Sequence, residues 1–307
     1  MIEMLKETPR FKWYHVTNMT SEDEYQLIHE NHLTDQILGY AVDKNESVRM
    51  EFDSDADETL VIMDVISAQP EPVLTRPVGF VIVKGDLYTF ANRATDYIKK
   101  SILEPDKDME RNSEDEMTVF EFMITGIYPL MTQYADQITE INRQRRAIQA
   151  QFGNRKHLTK QTNDLLHLQI QMIYLQNSLA NNLIMFDQLR RGYQNKISEQ
   201  DLDYLDAVRV EVDQAKDMAG LAMEVINAVS DAIGNLGSRD LNWTMKVLTV
   251  YSIVLTIPTM VSGFYGENVK YLPFAEGESG WLITIFITLL LMGGATYIFY
   301  RYGFLRK

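Results

Sequence analysis

Residues 247–264, VLTVYSIVLTIPTMVSGF, and residues 281–300, WLITIFITLLLMGGATYIFY, are two apolar runs separated by a mostly polar segment that opens Tyr265-Gly266-Glu267-Asn268. Each approaches the ~20 residues that a helix needs to cross the hydrocarbon core of a bilayer. Neither run contains a charged residue. Two such helices in tandem would need a very large dry core to hide in, and a membrane is the simpler host. Lys246 precedes the first run, and Arg301, Arg306 and Lys307 follow the second, whereas the connecting segment carries Glu267, Glu276 and Glu278 against Lys270. Basic residues mark the cytoplasmic ends of membrane helices. This predicts a multi-pass protein of the cytoplasmic membrane with both termini in the cytosol and the connecting segment outside. The opening MIEMLKE has no basic region followed by an apolar one, so no secretory signal peptide is expected.

The remainder of the 307 residues is polar and acidic, with a formal net charge of −14. That length accommodates a globular domain and additional helices. The acidity argues against nucleic acid as a partner, since phosphate binding needs basic patches; it suits cations, or a solubilising surface. The chain has no cysteine, which excludes disulfides and thiolate metal sites and fits a reducing compartment.

Over residues 1–116 the pattern alternates between strand and helix, predicting a cytosolic α/β domain. Strands are expected at residues 11–16, 48–52, 59–65, 78–83 and 87–90, with Lys84-Gly85-Asp86 as a hairpin turn, and Ser21-Glu22-Asp23-Glu24 reads as a capping-box-like helix start. A polar linker ends this region. Residues 117–197 then carry apolar positions at helical spacing. Ile127, Leu130, Tyr134, Ile138, Ile141 and Ile148 form one stripe, and Leu165, Leu168, Met172, Leu175, Leu179, Leu183 and Phe186 form another. Breaks at Gly153-Asn154 and at residues 192–198 make these a long antiparallel helical hairpin, kinked at Pro129. A third helix carries Leu205, Val208, Val212, Ala215, Ala219 and Ile226. It is a stalk over 198–246, leading into a first transmembrane helix at 247–264, a signature loop at 265–280, a second transmembrane helix at 281–300 and a basic tail at 301–307. Gly234 and Gly237 are its weak points, because glycine costs ~1 kcal/mol in a helix; unbroken, stalk and span would form a rod of ~100 Å. The fold class is an α+β membrane protein.

One face of the first span is unusual. Asn242, Met245, Leu248, Ser252, Thr256, Thr259 and Gly263 recur at three- and four-residue intervals and so share one side of a helix. In lipid such a stripe faces other helices or lines a water-filled path. Alternatively, its hydroxyls bond back to their own helix.

With Lys246-Val247-Leu248-Thr249 opening this span and Ile257-Pro258-Thr259-Met260-Val261-Ser262-Gly263-Phe264-Tyr265-Gly266-Glu267-Asn268 closing it, the chain resembles the CorA-type divalent cation transporters. The family signature is Tyr-Gly-Met-Asn; here Glu267 stands in place of the methionine. The resemblance covers the architecture of the whole chain and implies a homopentamer whose first spans line a central pore with the signature loop at its outer mouth. It implies that Tyr265, Gly266, Glu267 and Asn268 select the ion, with Asn268 hydrogen-bonding the water shell of Mg²⁺, which dehydrates reluctantly. Ser252, Thr256, Thr259 and Gly263 would continue the path, Met245 and Leu248 would form an apolar neck, and Asn242 a polar ring at the cytosolic end. If Glu267 points inward, its carboxylates favour a transition metal; if outward, it pairs with Lys270 or faces solvent. Family members carry inhibitory Mg²⁺ sites between subunits, for which Asp206, Glu211, Asp213 and Asp217 are the candidates here, each also readable as part of a solvated helix face.

No enzyme is expected and no resident cofactor, the divalent cation being cargo or regulator. The chain lacks a phosphate-binding Gly-Lys-Ser/Thr loop, so transport would be passive, driven by ~4.6 kcal/mol per dication per 100 mV. The two histidines His29 and His32 lack zinc-protease spacing. Magnesium leads, with zinc, cobalt or nickel as rivals; a membrane-anchored sensor or scaffold is the competing class.

Overall fold

In the computed structural model, which describes residues 1–53, 57–69, 74–104, 112–113, 116–151, 158–194, 196–268, 273 and 279–305, six strands and three short helices come first. They are β1 (Ile2–Glu7), β2 (Lys12–Thr17), α1 (Ser21–His29), α2 (Asp35–Val42), β3 (Arg49–Asp53), β4 (Glu58–Ile66), β5 (Thr75–Val83), β6 (Asp86–Ala91) and α3 (Ile98–Leu103). Four long helices follow: α4 (Val119–Ala150), α5 (Leu158–Tyr193), α6 (Glu199–Tyr265) and α7 (Gly280–Arg301). The chain divides into two units, Met1–Val229 and Ser230–Lys307.

The sheet of the first unit has the order β1-β2-β6-β5-β4-β3, with β2 and β6 parallel and every other neighbour antiparallel. Its organising strand is β4, where Leu60, Val61, Ile62, Met63 and Val65 are all buried. A run of that kind needs cover on both faces. Leu60 and Ile62 point with Val81 and Val83 into a core shared with Leu27 of α1 and Ile37 and Leu38 of α2. Val61, Met63 and Val65 point the other way, towards α4 and α5. On that side the Trp13 ring meets Phe122 of α4 edge-on at 5.3 Å, while its Nε1 donates to Thr89 Oγ1 at 3.0 Å. Helix α2 lies so close to β5 that a Cβ at Gly79 would stand 2.9 Å from the Ala41 carbonyl oxygen; a side chain there would push the helix off the sheet. The β5–β6 connection is a hairpin turn where one is expected, but of two residues, Asp86 already belonging to β6; Lys84 and Gly85 have φ of 48° and 87°, the left-handed geometry that matches strand twist.

Several elements differ from the sequence expectation. β1, α2 and α3 were not anticipated. The cap of α1 is Thr20 rather than Ser21: its side chain accepts from Asp23 N, and Asp23 Oδ2 accepts from Thr20 N. His29 and His32 do not share a helix, because α1 ends at His29 and His32 has a φ of 64°. Two expectations are not among these differences: α4 holds Pro129 within an unbroken helix, and α6 runs unbroken through Gly234 and Gly237, so that stalk and span are one helix. The Gly153-Asn154 break lies outside the described residues.

Helices α5 and α6 pack antiparallel in constant register. Arg190 pairs with Asp206 at 2.7 Å, Arg209 with Asp187 at 2.6 Å, and Gln169 donates to Asn227 at 2.8 Å. The seam between these polar contacts buries Leu205, Val208, Val212, Ala215, Ala219, Ala222 and Ile226. On α5 the seam shifts near its end: Met185, Phe186 and Leu189 are buried while Leu183 is half-buried. Asn182, fully buried, holds the intervening position and faces β4.

Candidate functional site

The carboxyl-terminal part of α6 and the whole of α7 are long and apolar enough to cross a membrane. Within the second unit, Val250 and Val261 of α6 are buried and Val247, Val254, Ile257, Pro258 and Tyr265 half-buried. These positions recur at helical spacing and form one side of α6. On α7 the half-buried residues are Ile283, Thr284, Ile287, Thr288, Met292, Ala295 and Phe299, again one side.

Asn242, Met245, Leu248, Ser252, Thr256, Thr259 and Gly263 are all exposed. At 3.6 residues per turn they lie on the side of α6 opposite the buried valines. Thr259 stands at the margin of this stripe, where it borders a crevice lined by Pro258 and Ser262 on α6 and Thr284, Ile285, Thr288 and Leu289 on α7. Thr256 Oγ1 donates to the Ser252 carbonyl at 2.8 Å, and Ser262 Oγ to the Thr259 carbonyl at 3.1 Å. Back-bonding satisfies the hydroxyl proton and leaves the oxygen lone pairs outward. At Thr256 the stripe therefore presents an acceptor, which is the polarity that the outward-pointing hydrogens of a hydrated cation require.

Helix α6 closes at the signature. Gly266 N donates to the Ser262 carbonyl at 2.9 Å and to that of Gly263 at 3.2 Å. A Cβ on Gly266 would lie 3.0 Å from the Ser262 oxygen, so glycine lets the last turn tighten without crowding that carbonyl. Tyr265 Oη donates to the Pro273 carbonyl at 3.2 Å, tying the loop to the helix end. Glu267 and Asn268 follow, both exposed. Lys270, Glu276, Glu278, Arg306 and Lys307 lie outside the described residues.

The acidic candidates on α6 do not converge within one chain. Asp206 is held by Arg190 through two hydrogen bonds at 2.7 and 3.1 Å, and Asp213 by Lys216 at 3.2 Å. Asp217 is exposed and Glu211 is half-buried on a different side of the helix. Among the described residues no three His, Asp or Glu side chains stand together as a metal site.

Two polar constellations of the first unit escaped the sequence reading. Asp64 of β4 lies beyond the last β3 pairing, at Ile62, and opposite Pro77 of β5, which has no N–H. Asn182 of α5 takes the place of a strand neighbour, accepting from Asp64 N and donating to Asp64 O, each at 2.9 Å, while Tyr134 Oη also donates to that carbonyl. Ser178 Oγ donates to the Asp64 carboxylate at 2.7 Å. Burial raises the Asp64 pKa, opposed by the Ser178 hydrogen bond. In the second constellation His15 sits between Thr89 Oγ1, 2.7 Å from Nδ1, and Asp96, 3.1 Å from Nε2. Burial lowers its pKa despite the carboxylate. With His15 and Thr89 sealed from solvent, this arrangement joins β2 to β6 and offers no access to a substrate. The sequence signal for the first constellation is a pair of polar residues, Ser178 and Asn182, within an otherwise apolar seam.

The family profile of the CorA-like Mg²⁺ transporter protein matches residues 9–301. The cobalt/magnesium transport protein CorA of Methanocaldococcus jannaschii is 28% identical over 142 residues, 46% of this chain; the matched stretch spans 44% of that relative's length. The complete structure of the CorA magnesium transporter from the same organism superposes with a TM-score of 0.81 at 21% identity, over 98% of this chain and 94% of that one. The full-length CmaX protein superposes with a TM-score of 0.71 at 19% identity, over 99% of this chain and 91% of that one. At these identities the structural likeness establishes a shared fold.

Proposed function

The chain belongs to the CorA-like Mg²⁺ transporter family, and on that premise we propose that it carries divalent cations, Mg²⁺ foremost, passively across the cytoplasmic membrane through a central pore formed by five copies. The observation that carries this reading is the exposed stripe from Asn242 to Gly263, turned away from the buried side of α6. Ser252, Thr256 and Thr259 would leave hydroxyl oxygens against acyl chains; neighbouring copies and a water-filled axis give them partners.

In this pore Asn268 ranks first in selection. Five side-chain amide oxygens at the outer mouth accept hydrogen bonds from the waters that Mg²⁺ retains. The tight Gly266 turn and the Tyr265 bond to Pro273 support the loop that carries it. Thr256 offers lone pairs deeper in, and Met245 and Leu248 make an apolar neck that can close by dewetting. Glu267 concentrates dications at the entrance. Should it reach the axis, the carboxylates would replace waters on the ion and favour Zn²⁺, Co²⁺ or Ni²⁺. Both termini face the cytosol, and the membrane potential supplies the drive.

The test is uptake of Mg²⁺, Co²⁺, Ni²⁺ and Zn²⁺ into liposomes holding the purified chain, with Asn268→Ala and Glu267→Met beside it. We expect uptake to be lost in the first variant and retained in the second. A changed ion preference in Glu267→Met assigns selection to the carboxylates, and no uptake of any ion by folded pentamers leaves a membrane-anchored sensor or scaffold.

A further inference from the structure

Between Glu140 and Asp164 the sequence places six lysines and arginines and no acidic residue, in a chain whose net charge is −14. Four of the six lie on described helices: Arg143, Arg145 and Arg146 in the last two turns of α4, and Lys160 in the first turn of α5. Gln161 of α5 donates to the carbonyl of Gln151 at 3.1 Å, which brings those two ends together. The four cations therefore crown one end of the helical hairpin. Arg143 is 74% exposed and leans on Glu140 at 2.8 Å. Arg145 donates to Gln149 at 2.8 Å, and Arg146 and Lys160 are exposed.

The α5–α6 register says which end this is. From Arg190–Asp206 to Gln169–Asn227 the pairing moves back along α5 and forward along α6 by equal steps. Helix α5 continues past Gln169 to Leu158 in the direction in which α6 leaves the first unit for its apolar segment. The cationic end of the hairpin is thus the end at which α6 leaves the first unit.

We infer that this end docks on the anionic phospholipid headgroups of the leaflet it faces. Guanidinium forks match phosphate oxygens in pairs, and polybasic segments are drawn to anionic leaflets over about a Debye length. A free acidic protein would have to approach a chain that is acidic overall, whereas a tethered bilayer is always at hand. The inference rests on the membrane reading of α6 and α7 and is independent of which ion is carried.

The absence of cysteine makes the test clean. In the full chain, Ala147→Cys carries a donor fluorophore, and the protein is reconstituted into phosphatidylcholine vesicles with or without phosphatidylglycerol, with an acceptor on the headgroups. Energy transfer should rise with phosphatidylglycerol and fall back at ~1 M salt, where the Debye length is ~3 Å. Each cation at the surface multiplies the docked-to-free ratio by about five. Arg146→Gln should lower that ratio accordingly, and Arg143→Gln, Arg146→Gln and Lys160→Gln together should abolish the rise. Equal transfer in neutral and anionic vesicles would overturn the proposal. So would a rise that survives the triple variant, or a salt-insensitive proximity, which would signify contact between copies. Resistance to alkaline carbonate extraction, read on the same vesicles, reports insertion of the spans separately; an extractable protein would overturn the membrane reading and this proposal with it.

Discussion

Asn182→Ala should loosen the joint between the sheet and the helical hairpin by a margin that its geometry sets. The Asn182 side chain is fully buried and bridges both main-chain groups of Asp64 at 2.9 Å. After truncation the Asp64 carbonyl keeps Tyr134 Oη, but the Asp64 N–H, beyond the end of β3, loses its acceptor. A buried donor left unmet costs ~1–3 kcal/mol, and the lost carbonyl hydrogen bond adds ~0.5–1.5 kcal/mol. The sum, about 1.5–4.5 kcal/mol, corresponds to a fall in midpoint of ~3–18 °C for a unit of this size. The assay is thermal unfolding of the detergent-solubilised full chain followed by Trp13 fluorescence, with Trp243→Phe and Trp281→Phe as background at one scan rate. Trp13 is buried against Phe122, so it reports the first unit. Asn182→Asp, which can accept but not donate and brings a second carboxylate beside Asp64, should fall at least as far. A midpoint shift below about 1 °C in the alanine variant would refute the role of Asn182 as a substitute strand neighbour.

Two further outcomes follow from the same geometry. Because burial raises the Asp64 pKa, the folded state holds that proton to higher pH than the unfolded chain. Its stabilising contribution is full below the unfolded value of ~3.9 and is lost as pH rises through the folded one. Asp64→Asn should therefore raise the midpoint near neutral pH and change it little in acid. For His15 the sign is reversed: its pKa is lowered by burial, so the stability it supports is present above ~6.5 and lost as pH falls through the folded value, and His15→Gln should flatten the acid limb of the melting profile. In the membrane segment, Leu248→Asn puts an amide into the apolar neck; if dewetting closes the pore there, initial uptake should increase, and unchanged or lower uptake in a correctly assembled variant would remove Leu248 from the gate.

What the sequence conveys and what it hides separate along physical lines. The apolar runs at 247–264 and 281–300 and the seams of α4, α5 and α6 are legible, because long stretches at helical period admit few other structures. The hidden elements are short or weakly patterned. β1, with the sequence IEMLKE, has little β-branched content and is held by pairing with β2. α2 spans eight residues with a glycine inside, and its hold comes from Thr34, which caps it while donating to buried Glu58. Likewise the shift of the α5 seam at Leu183 follows from Asn182 answering Asp64, a partner 118 positions away that local periodicity cannot reveal. For the candidate site, spacing groups the stripe on one side of α6, but spacing does not say which side meets α7. The exposure of Asn242 to Gly263, opposite buried Val250 and Val261, supplies that.

The pore itself is tested most directly by thiol accessibility, since every introduced cysteine is the sole one. Uptake of Mg²⁺ into liposomes would be followed for Ser252→Cys, Thr256→Cys and Val254→Cys, before and after a charged methanethiosulfonate reagent. The account predicts block at Ser252→Cys and Thr256→Cys, on the stripe, and none at Val254→Cys, which lies on the opposite side with buried Val250 and Val261. Equal block at all three, or continued uptake after complete modification of Ser252→Cys and Thr256→Cys, would contradict a conduction path lined by this face of α6.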